Sequence, residues 1–366
     1  MAGWPIYPRP QWLRPGVRAF TLGRQVTITA TSVDTMPAAE LLQRELYRRF
    51  GVRAVLRRGP EASPGGITIA VASPRNGAPA PAGLAQLSPE AYTLSVTPDR
   101  AVLTSGGAAG AFYGAASLVQ LFAQEPFPGA LPAAPALEVR DWPAHPVRGL
   151  HLQLPARHQL PLFRRLLEQA AMLKLNTLFL RIDGGLRYAR HPELNAAHAR
   201  VSQAALFHEG GPEWFAAGPG YTRSVPLFVA GGAALEPEEV RDLVGYARTL
   251  HLTVVPEVAV LGECYYLCVA HPELAEHPDD PWPDCTCPAE PRAVELVSEV
   301  LDEVLAPTDA RMVHIGHAGW RPWPACPRCR GVDQGVLLAE HVRHLHEFLA
   351  ARGVETAMWG DLWQQG

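Results

Sequence analysis

The stretch Asn176-Thr177-Leu178-Phe179-Leu180-Arg181-Ile182 decides the fold class, because it is a nearly continuous apolar run. Such a run is typical of a strand that is buried on both faces, as in a parallel sheet covered by helices. The segment before it, Pro161–Leu173, is predicted to be a helix, and Val147–Leu152 before that is a second strand candidate. The order strand, helix, strand predicts a βαβ unit.

The same alternation continues towards the end of the chain. An irregular insertion, Gly184–Ala234, is followed by further predicted helices and strands: Glu236–Leu250, Thr253–Val258, Arg292–Leu305, Met312–His317, Val336–Arg352 and Glu355–Trp359. This order predicts a parallel sheet with crossover helices, most simply a TIM-type (β/α) barrel. About five strands are present where a closed barrel needs eight, so the barrel is expected to be incomplete. Either the gene product is short, or another chain or an oligomer covers the open edge, which would otherwise favour association.

The first part of the chain has a different pattern, which predicts an α+β domain. Four short β-rich runs predict strands, and two segments with apolar residues at helical spacing predict helices. The strands are Val26–Ala30, Gly66–Ala72, Tyr92–Val96 and Ala101–Thr104, and the helices are Pro37–Phe50 and Gly110–Phe122. The Pro- and Ala-rich stretch Gln124–Ala136 is predicted to be a linker. We therefore expect two domains, an N-terminal α+β domain over 1–142 and an α/β domain over 143–366.

Composition excludes some partners. The 366 residues carry a formal net charge of −4, which gives no electrostatic reason to expect nucleic acid or an anionic membrane surface. No apolar stretch is long enough to cross a bilayer. The first residues lack the charged and apolar regions of a signal peptide, so a cytoplasmic location is expected.

Several short motifs come in the order seen in one enzyme family. They are Val147-Arg148-Gly149, 174–178 (KLNTL), 191–195 (HPELN), Val255-Pro256-Glu257, 271–276 (HPELAE), 314–317 (HIGH), 326–331 (CPRCRG) and Met358-Trp359-Gly360-Asp361. In this order they resemble the bacterial β-N-acetylhexosaminidases of glycoside hydrolase family 20. Pro89-Glu90-Ala91-Tyr92 and 110–114 (GAFYG) resemble the non-catalytic domain that precedes the barrel in that family.

The resemblance implies a mechanism that needs two adjacent acids. Members of the family cleave terminal N-acetylhexosamines with retention, by substrate assistance. A Glu protonates the leaving oxygen, and the neighbouring Asp holds the 2-acetamido group, whose carbonyl oxygen attacks the anomeric carbon. The pair follows His-Ile-Gly-His, where this chain has Ala318 and Gly319. A family His after Pro-Glu-Val falls at Glu263, which is a second departure from the pattern.

Other residues are predicted to bind substrate. Arg148 resembles the family arginine that hydrogen-bonds sugar hydroxyls, and the alternative is a structural ion pair with Asp183 or Glu257. Trp359 resembles the tryptophan that walls the acetamido pocket, and the alternative is core packing. Further candidates at or near strand ends are Asp183, Glu257, His317 and Asp361.

All six cysteines lie late in the chain, unlike the pattern of a secreted disulfide scaffold. Two paired motifs, Cys285-x-Cys287 and Cys326-x-x-Cys329, offer four thiolates for a tetrahedral zinc ion. His341 and His344 follow Cys326 and Cys329 closely enough in the chain to be further candidate ligands. The resembling family needs no metal, so the first expectation is no cofactor and buried free thiols.

Three functional readings follow. The first is a family 20 homologue acting on N-acetylhexosamine glycans by descent but with weak or absent hydrolase activity. The second is a sugar-binding or regulatory pseudoenzyme that acts with a partner chain, and the third is a truncated, decayed gene whose product folds poorly.

Overall fold

The computed structural model describes residues 6–59, 65–72, 88–122, 131–207, 234–280, 282–320 and 326–360. The chain divides into two compact units. One comprises residues 1–148 and 168–176, and the other comprises residues 149–167 and 177–366. The boundary expected after residue 142 stays a prediction.

The first unit contains a seven-stranded mixed sheet with the strand order β1-β7-β5-β6-β4-β2-β3. Its strands are β1 (Trp12–Thr21), β2 (Gln25–Ala30), β3 (Arg53–Arg58), β4 (Ile67–Val71), β5 (Tyr92–Thr97), β6 (Arg100–Ser105) and β7 (Ala133–Asp141). Strands β3, β2, β4 and β6 are mutually parallel. Strand β5 pairs antiparallel with both β6 and β7. The predicted α+β class is confirmed.

Two helices of the first unit pack on each other and on this sheet, α1 (Met36–Phe50) and α2 (Ala108–Phe122). Small residues in α2 allow this approach: a Cβ added to Gly114 would lie 2.2 Å from the Cδ1 atom of Leu103. The predicted linker Gln124–Ala136 is wrong at its end, because β7 begins at Ala133 and is held between β1 and β5 by backbone hydrogen bonds. Its residues 124–130 lie outside the described residues.

In the described part of the second unit, five parallel strands lie in the order β12-β11-β10-β9-β8, so strands adjacent in the chain are adjacent in the sheet. They are β8 (Gly149–Gln153), β9 (Thr177–Arg181), β10 (Thr253–Glu257), β11 (Met312–His314) and β12 (Glu355–Ala357). This confirms the predicted α/β part with about five strands of a TIM-type barrel.

Helices connect these strands, in chain order α3 (Leu160–Met172), α4 (Pro192–Phe207), α5 (Pro237–Thr249), α6 (Tyr265–Cys268), α7 (Pro291–Thr308) and α8 (Gln334–Ala350). Helix α4 corrects the prediction of an irregular insertion over Gly184–Ala234, of which residues 208–233 lie outside the description. The helix is stabilised by packing of Val201 and Ala204 against Tyr265, a contact that local sequence does not reveal. Among the described residues, no helix combines the length and apolar character that spanning a membrane requires.

Candidate functional site

The last residues of the five strands form one row across the carboxyl edge of the sheet. Gln153 pairs in register with Arg181, Arg181 with Glu257, Glu257 with His314, and His314 with Ala357. Residues in register on parallel strands direct their side chains to the same face. We call these five residues the strand-end row. Enzymes with (β/α) architecture carry out their chemistry at this end of the strands, so the row marks the candidate site.

Glu257 is the buried acid of the row. Its Oε2 atom lies 2.8 Å from Nε2 of His151 and 3.4 Å from Nδ1 of His314. Burial alone raises the pKa of Glu257, but the His151 imidazole and the nearby cationic groups outweigh burial and bring the pKa below its ordinary value. Burial lowers the pKa of His314. The predicted candidate Glu257 thus lies at the site, with a pKa that favours the ionised form and a carboxylate oxygen in contact with an imidazole.

Trp359 lies over the two imidazoles. Its ring centroid is 5.4 Å from that of His151, edge to face, and 4.7 Å from that of His314. Its backbone N–H donates to the carbonyl oxygen of Gly316 at 2.9 Å, which fixes the segment after β12 beside the segment after β11. The indole is 37% exposed and therefore presents part of its surface to solvent.

Arg181 organises the acids on the other side of Glu257. Its Nε donates to Oδ2 of Asp183 at 2.5 Å, while Nη1 donates to Oε2 and Nη2 to the backbone oxygen of Glu263, at 2.9 and 3.0 Å. The other oxygen of Asp183 accepts from the N–H of Ala259 at 3.1 Å. Burial raises the pKa of Asp183, although Arg181 opposes this shift. The structure brings Asp183 to the site but commits its carboxylate to these partners.

Gly319, one of the two positions where the resemblance predicts the acid pair, lies next to Glu263. Gly319 has a φ of +64°, in the left-handed region that side chains rarely adopt. A Cβ built there would lie 3.2 Å from Cγ and 3.4 Å from Oε1 of Glu263. Together with the methyl side chain of Ala318, this means that neither position carries an ionisable group, and the nearest carboxylate belongs to Glu263.

His317 is buried, and both of its ring nitrogens have hydrogen-bond partners within the protein. It is fully buried, its Nδ1 lies 3.0 Å from the carbonyl oxygen of Ile315, and its Nε2 lies 3.0 Å from Nδ1 of His341. Because a carbonyl only accepts, Nδ1 of His317 carries the hydrogen and Nε2 accepts from His341. Burial lowers the pKa of His317 to about 4. With both nitrogens engaged, this placement argues against the predicted role in substrate binding.

Arg148 also departs from its prediction. It precedes β8, at the amino end of the strand, roughly 16 Å along the strand from the carboxyl end at 3.3 Å per residue. Its guanidinium donates to both carboxylate oxygens of Glu90, at 3.0 and 3.1 Å, and to the carbonyl oxygen of Lys174 at 2.8 Å. Arg148 is thus engaged in an ion pair, as in the structural alternative, but its partner is Glu90 and neither Asp183 nor Glu257. Asp361 lies outside the described residues.

The cysteines are arranged differently from the predicted set. Cys287, Cys326 and Cys329 do lie together, but the fourth group beside them is the carboxylate of Glu276. Cys285 points elsewhere, donating to Oδ1 of Asp284 at 3.3 Å and lying 3.7 Å from the carbonyl oxygen of Gly319. His341 is occupied by His317.

Sequence reasoning missed Arg181, His151, His314 and Glu276. One signal was available: an arginine inside a strand that is buried on both faces needs a carboxylate partner, and Asp183 follows two residues later. His151 and His314 alternate with apolar residues on their strands, which is a weaker signal. Nothing local distinguishes Glu276 from other acids of its loop.

Comparison with known proteins agrees with this architecture. Residues 145–366 match the family described as "Glycosyl hydrolase family 20, catalytic domain", and residues 4–142 match "Glycosyl hydrolase family 20, domain 2". The beta-hexosaminidase of Akkermansia muciniphila is 26% identical over 303 residues, which cover 76% of this chain and 56% of that protein. The chain spans about half the length of the curated relatives it matches.

Solved structures share the fold. The GH20 exo-β-N-acetylglucosaminidase from Vibrio harveyi, in complex with N-acetylglucosamine, superposes with a TM-score of 0.76 at 21% identity, covering 99% of this chain and 55% of that chain. An Asp-to-Ala variant of the Vibrio harveyi enzyme, described as an inactive mutant, gives a TM-score of 0.75 at 22% identity with the same coverage of 99% and 55%. At these identities the likeness shows the fold alone.

Proposed function

Because this chain belongs to glycoside hydrolase family 20, we propose that it is a β-N-acetylhexosaminidase homologue of the N-acetylhexosamine class with little or no hydrolase activity. The observation that carries the proposal is the pair Ala318-Gly319, which follows β11 where the family mechanism requires Asp and Glu. A methyl group and a hydrogen atom cannot donate a proton or orient an amide.

The missing groups account for most of the expected loss of rate. General acid catalysis contributes roughly 10²–10⁴-fold, and orientation of an intramolecular nucleophile contributes a comparable or larger factor. The inactive Asp-to-Ala variant of the Vibrio harveyi enzyme supports the view that one missing carboxylate can silence a member of the family.

Neighbouring acids are poorly suited to replace the pair. Glu263 is the nearest, but its carboxylate already accepts a hydrogen bond from the guanidinium of Arg181 at 2.9 Å. Asp183 has both oxygens engaged, and Glu257 is held by His151. Each carboxylate therefore has a partner that a new catalytic role would have to displace.

Hydrolysis of a chromogenic N-acetylglucosaminide by the full chain tests this proposal. The expected result is turnover indistinguishable from that of a heat-inactivated sample. Turnover in the range of active hexosaminidases would contradict it, and its abolition by Glu263→Gln would identify Glu263 as a replacement acid.

A second candidate function is sugar binding without hydrolysis, in a pseudoenzyme that acts with a partner chain. It is favoured by the partly exposed indole of Trp359, which stands at the carboxyl edge of the sheet beside His151 and Glu257. An aromatic face suits the C–H surface of a pyranose, and the imidazole and carboxylate supply hydrogen-bonding groups for hydroxyls.

Calorimetry with N-acetylglucosamine separates the two candidates. Binding that is lost in Trp359→Ala and kept in Trp12→Ala would support the sugar-binding function. Trp12 is a matched control because it is also 37% exposed but lies on β1 of the first unit. Absence of binding to the wild-type chain, or an equal loss in both variants, would reject it.

A further inference from the structure

Three thiols and one carboxylate meet in the interior of the second unit. The side-chain donor atoms of Glu276, Cys287, Cys326 and Cys329 all lie within 4.8 Å of one another, and all four residues are buried. Sγ of Cys287 lies 3.6 Å from that of Cys326 and 3.5 Å from that of Cys329. Sγ of Cys329 lies 3.2 Å from Oε2 of Glu276. We call these four residues the thiol cluster.

Backbone pairing places the first two members. Ala275 and Thr286 form an antiparallel bridge. Around it, the N–H of Glu276 donates to the carbonyl oxygen of Cys285 at 2.8 Å, and the N–H of Cys287 donates to that of Leu274 at 2.9 Å. This short pairing in the loop between β10 and α7 therefore holds Glu276 and Cys287 side by side.

The other two members come from the loop between β11 and α8. The Cys-x-x-Cys segment closes on itself as a turn, in which the N–H of Arg330 donates to the carbonyl oxygen of Cys326 at 2.9 Å. The N–H of Cys326 donates to Oε1 of Glu276 at 2.8 Å. That bond fixes the carboxylate so that its other oxygen faces Cys329, in the way outer hydrogen bonds orient metal ligands.

Three of the six donor separations are close to those of tetrahedral coordination, and the other three are no longer than 4.8 Å. Two thiolates bound to one zinc ion at 2.3 Å each are about 3.8 Å apart, and a thiolate and a carboxylate oxygen are about 3.5 Å apart. The observed separations of 3.5, 3.6 and 3.2 Å are close to these values. A disulfide would need about 2.05 Å between the sulfurs and would leave the third thiol without a role.

We propose that Glu276, Cys287, Cys326 and Cys329 bind one structural zinc ion. The ligand set suits zinc, which takes thiolates and carboxylates in tetrahedral sites. All four positions are filled by protein, so the ion has no open position for substrate or water and acts in folding, not catalysis. Apolar side chains surround the cluster, including Leu261, Leu337 and Leu338, and shield it from solvent.

The ion would connect two loops at the carboxyl edge of the sheet. The loop after β10 carries Glu263 and the loop after β11 carries Gly319. By joining these loops, zinc would fix the backbone that positions both residues. The inference is independent of whether the chain hydrolyses sugars, because it concerns only ligands away from the strand-end row.

Metal analysis of the full chain tests the proposal directly. After purification without a chelating tag, the wild-type chain is expected to contain about one zinc per molecule by mass spectrometry. Exchange with Co²⁺ alone is expected to give the sulfur-to-cobalt charge-transfer band and the visible bands of a tetrahedral thiolate site. A wild-type chain that neither contains zinc nor gives this cobalt spectrum would overturn the proposal without any variant being made.

Two matched substitutions then assign the ligands. Cys287→Ser is expected to lower zinc affinity more than tenfold, whereas Cys285→Ser, two residues away and equally buried, should leave affinity unchanged. Cobalt spectra of both variants report on the site itself, so a folded Cys287→Ser protein that keeps one tightly bound zinc contradicts the assignment. Loss of zinc from Cys285→Ser instead would favour the set expected from sequence spacing.

Discussion

The carboxylate of Glu263 stands against the Cα of Gly319, so that a Cβ at residue 319 would lie 3.2 Å from Cγ of Glu263. The two residues belong to different loops, and one fills space that a side chain on the other would need. Arg181 holds Glu263 in this place through both its carboxylate and its backbone oxygen. The lack of a side chain at residue 319 and the position of the Glu263 carboxylate are therefore coupled in space.

The first prediction concerns restoration of catalysis. The double variant Ala318→Asp/Gly319→Glu should stay near background in the chromogenic assay, because residue 319 has a positive φ and two carboxylates would crowd each other. Addition of Glu263→His removes the crowding and restores the family residue, and the triple variant should exceed the double by at least about tenfold. Glu263→His alone is the control and should remain inactive. Equal activity of the double and triple variants would show that Glu263 does not obstruct the site.

The second prediction concerns a buried ion pair in the first unit. Nζ of Lys174 donates to Oδ2 of Asp141 at 2.8 Å and to the hydroxyl oxygen of Tyr92 at 3.0 Å. Burial lowers the pKa of Lys174, while Asp141 opposes that shift. Asp141→Ala leaves the ammonium group unpaired and should lower the free energy of unfolding by about 3–5 kcal/mol in urea titration.

The exposed pair Arg14–Glu138 provides the control for that experiment. It has a similar separation of 2.8 Å, but the side chains of Arg14 and Glu138 are 65% and 44% exposed. Glu138→Ala should therefore change the free energy of unfolding by about 0–1 kcal/mol. Similar losses in Asp141→Ala and Glu138→Ala would mean that Lys174 is hydrated and not dependent on its partner.

The third prediction is a pH dependence of stability caused by His317 and His341. Burial lowers the pKa of His317 to about 4 and that of His341 to about 3, from an ordinary value of 6.5. Between pH 6.5 and 4 the unfolded chain binds protons that the folded chain does not. Their stabilising effect is thus complete above pH 6.5 and is lost as the pH falls towards 4.

Comparison of wild type with His341→Gln measures this effect. The variant should lose less stability on acidification, by up to about 1.4 kcal/mol per pH unit in that window. His158→Gln is the control, since His158 is an exposed histidine outside the buried pair. If the wild type and His341→Gln had parallel stability curves from pH 7 to 4, the buried pair would not be the source of acid sensitivity.

The elements that the sequence predicted best are those with a strong local signal. The run Asn176–Ile182 became β9, and the amphipathic segments after it became helices, because apolar periodicity depends on neighbours in the chain. Helix α4 escaped prediction because its stability depends on contacts with Tyr265. Arg148 was predicted from the resemblance to bind substrate, although its place before β8 already indicates the amino end of that strand.

The site was only partly predictable, for a related reason. Asp183, Glu257 and Trp359 were predicted as site residues because they lie at or just after strand ends, and the structure places them at the carboxyl edge of the sheet. Arg181 and Glu276 were not, because their roles depend on partners from other segments. Spacing along the chain likewise suggested Cys285 as a metal ligand, whereas the fold turns it towards Asp284.

By itself, the sequence determined the alternation of strands and helices and the absence of ionisable side chains at Ala318 and Gly319, since no fold can supply an ionisable group that a residue lacks. Only the tertiary structure decided which charged groups pair with one another. It pairs Glu263 with Arg181, and it brings the carboxylate of Glu276 together with three thiols. Ion pairing and metal coordination act over a few ångströms between segments far apart in the chain, and such distances exist only once the chain has folded.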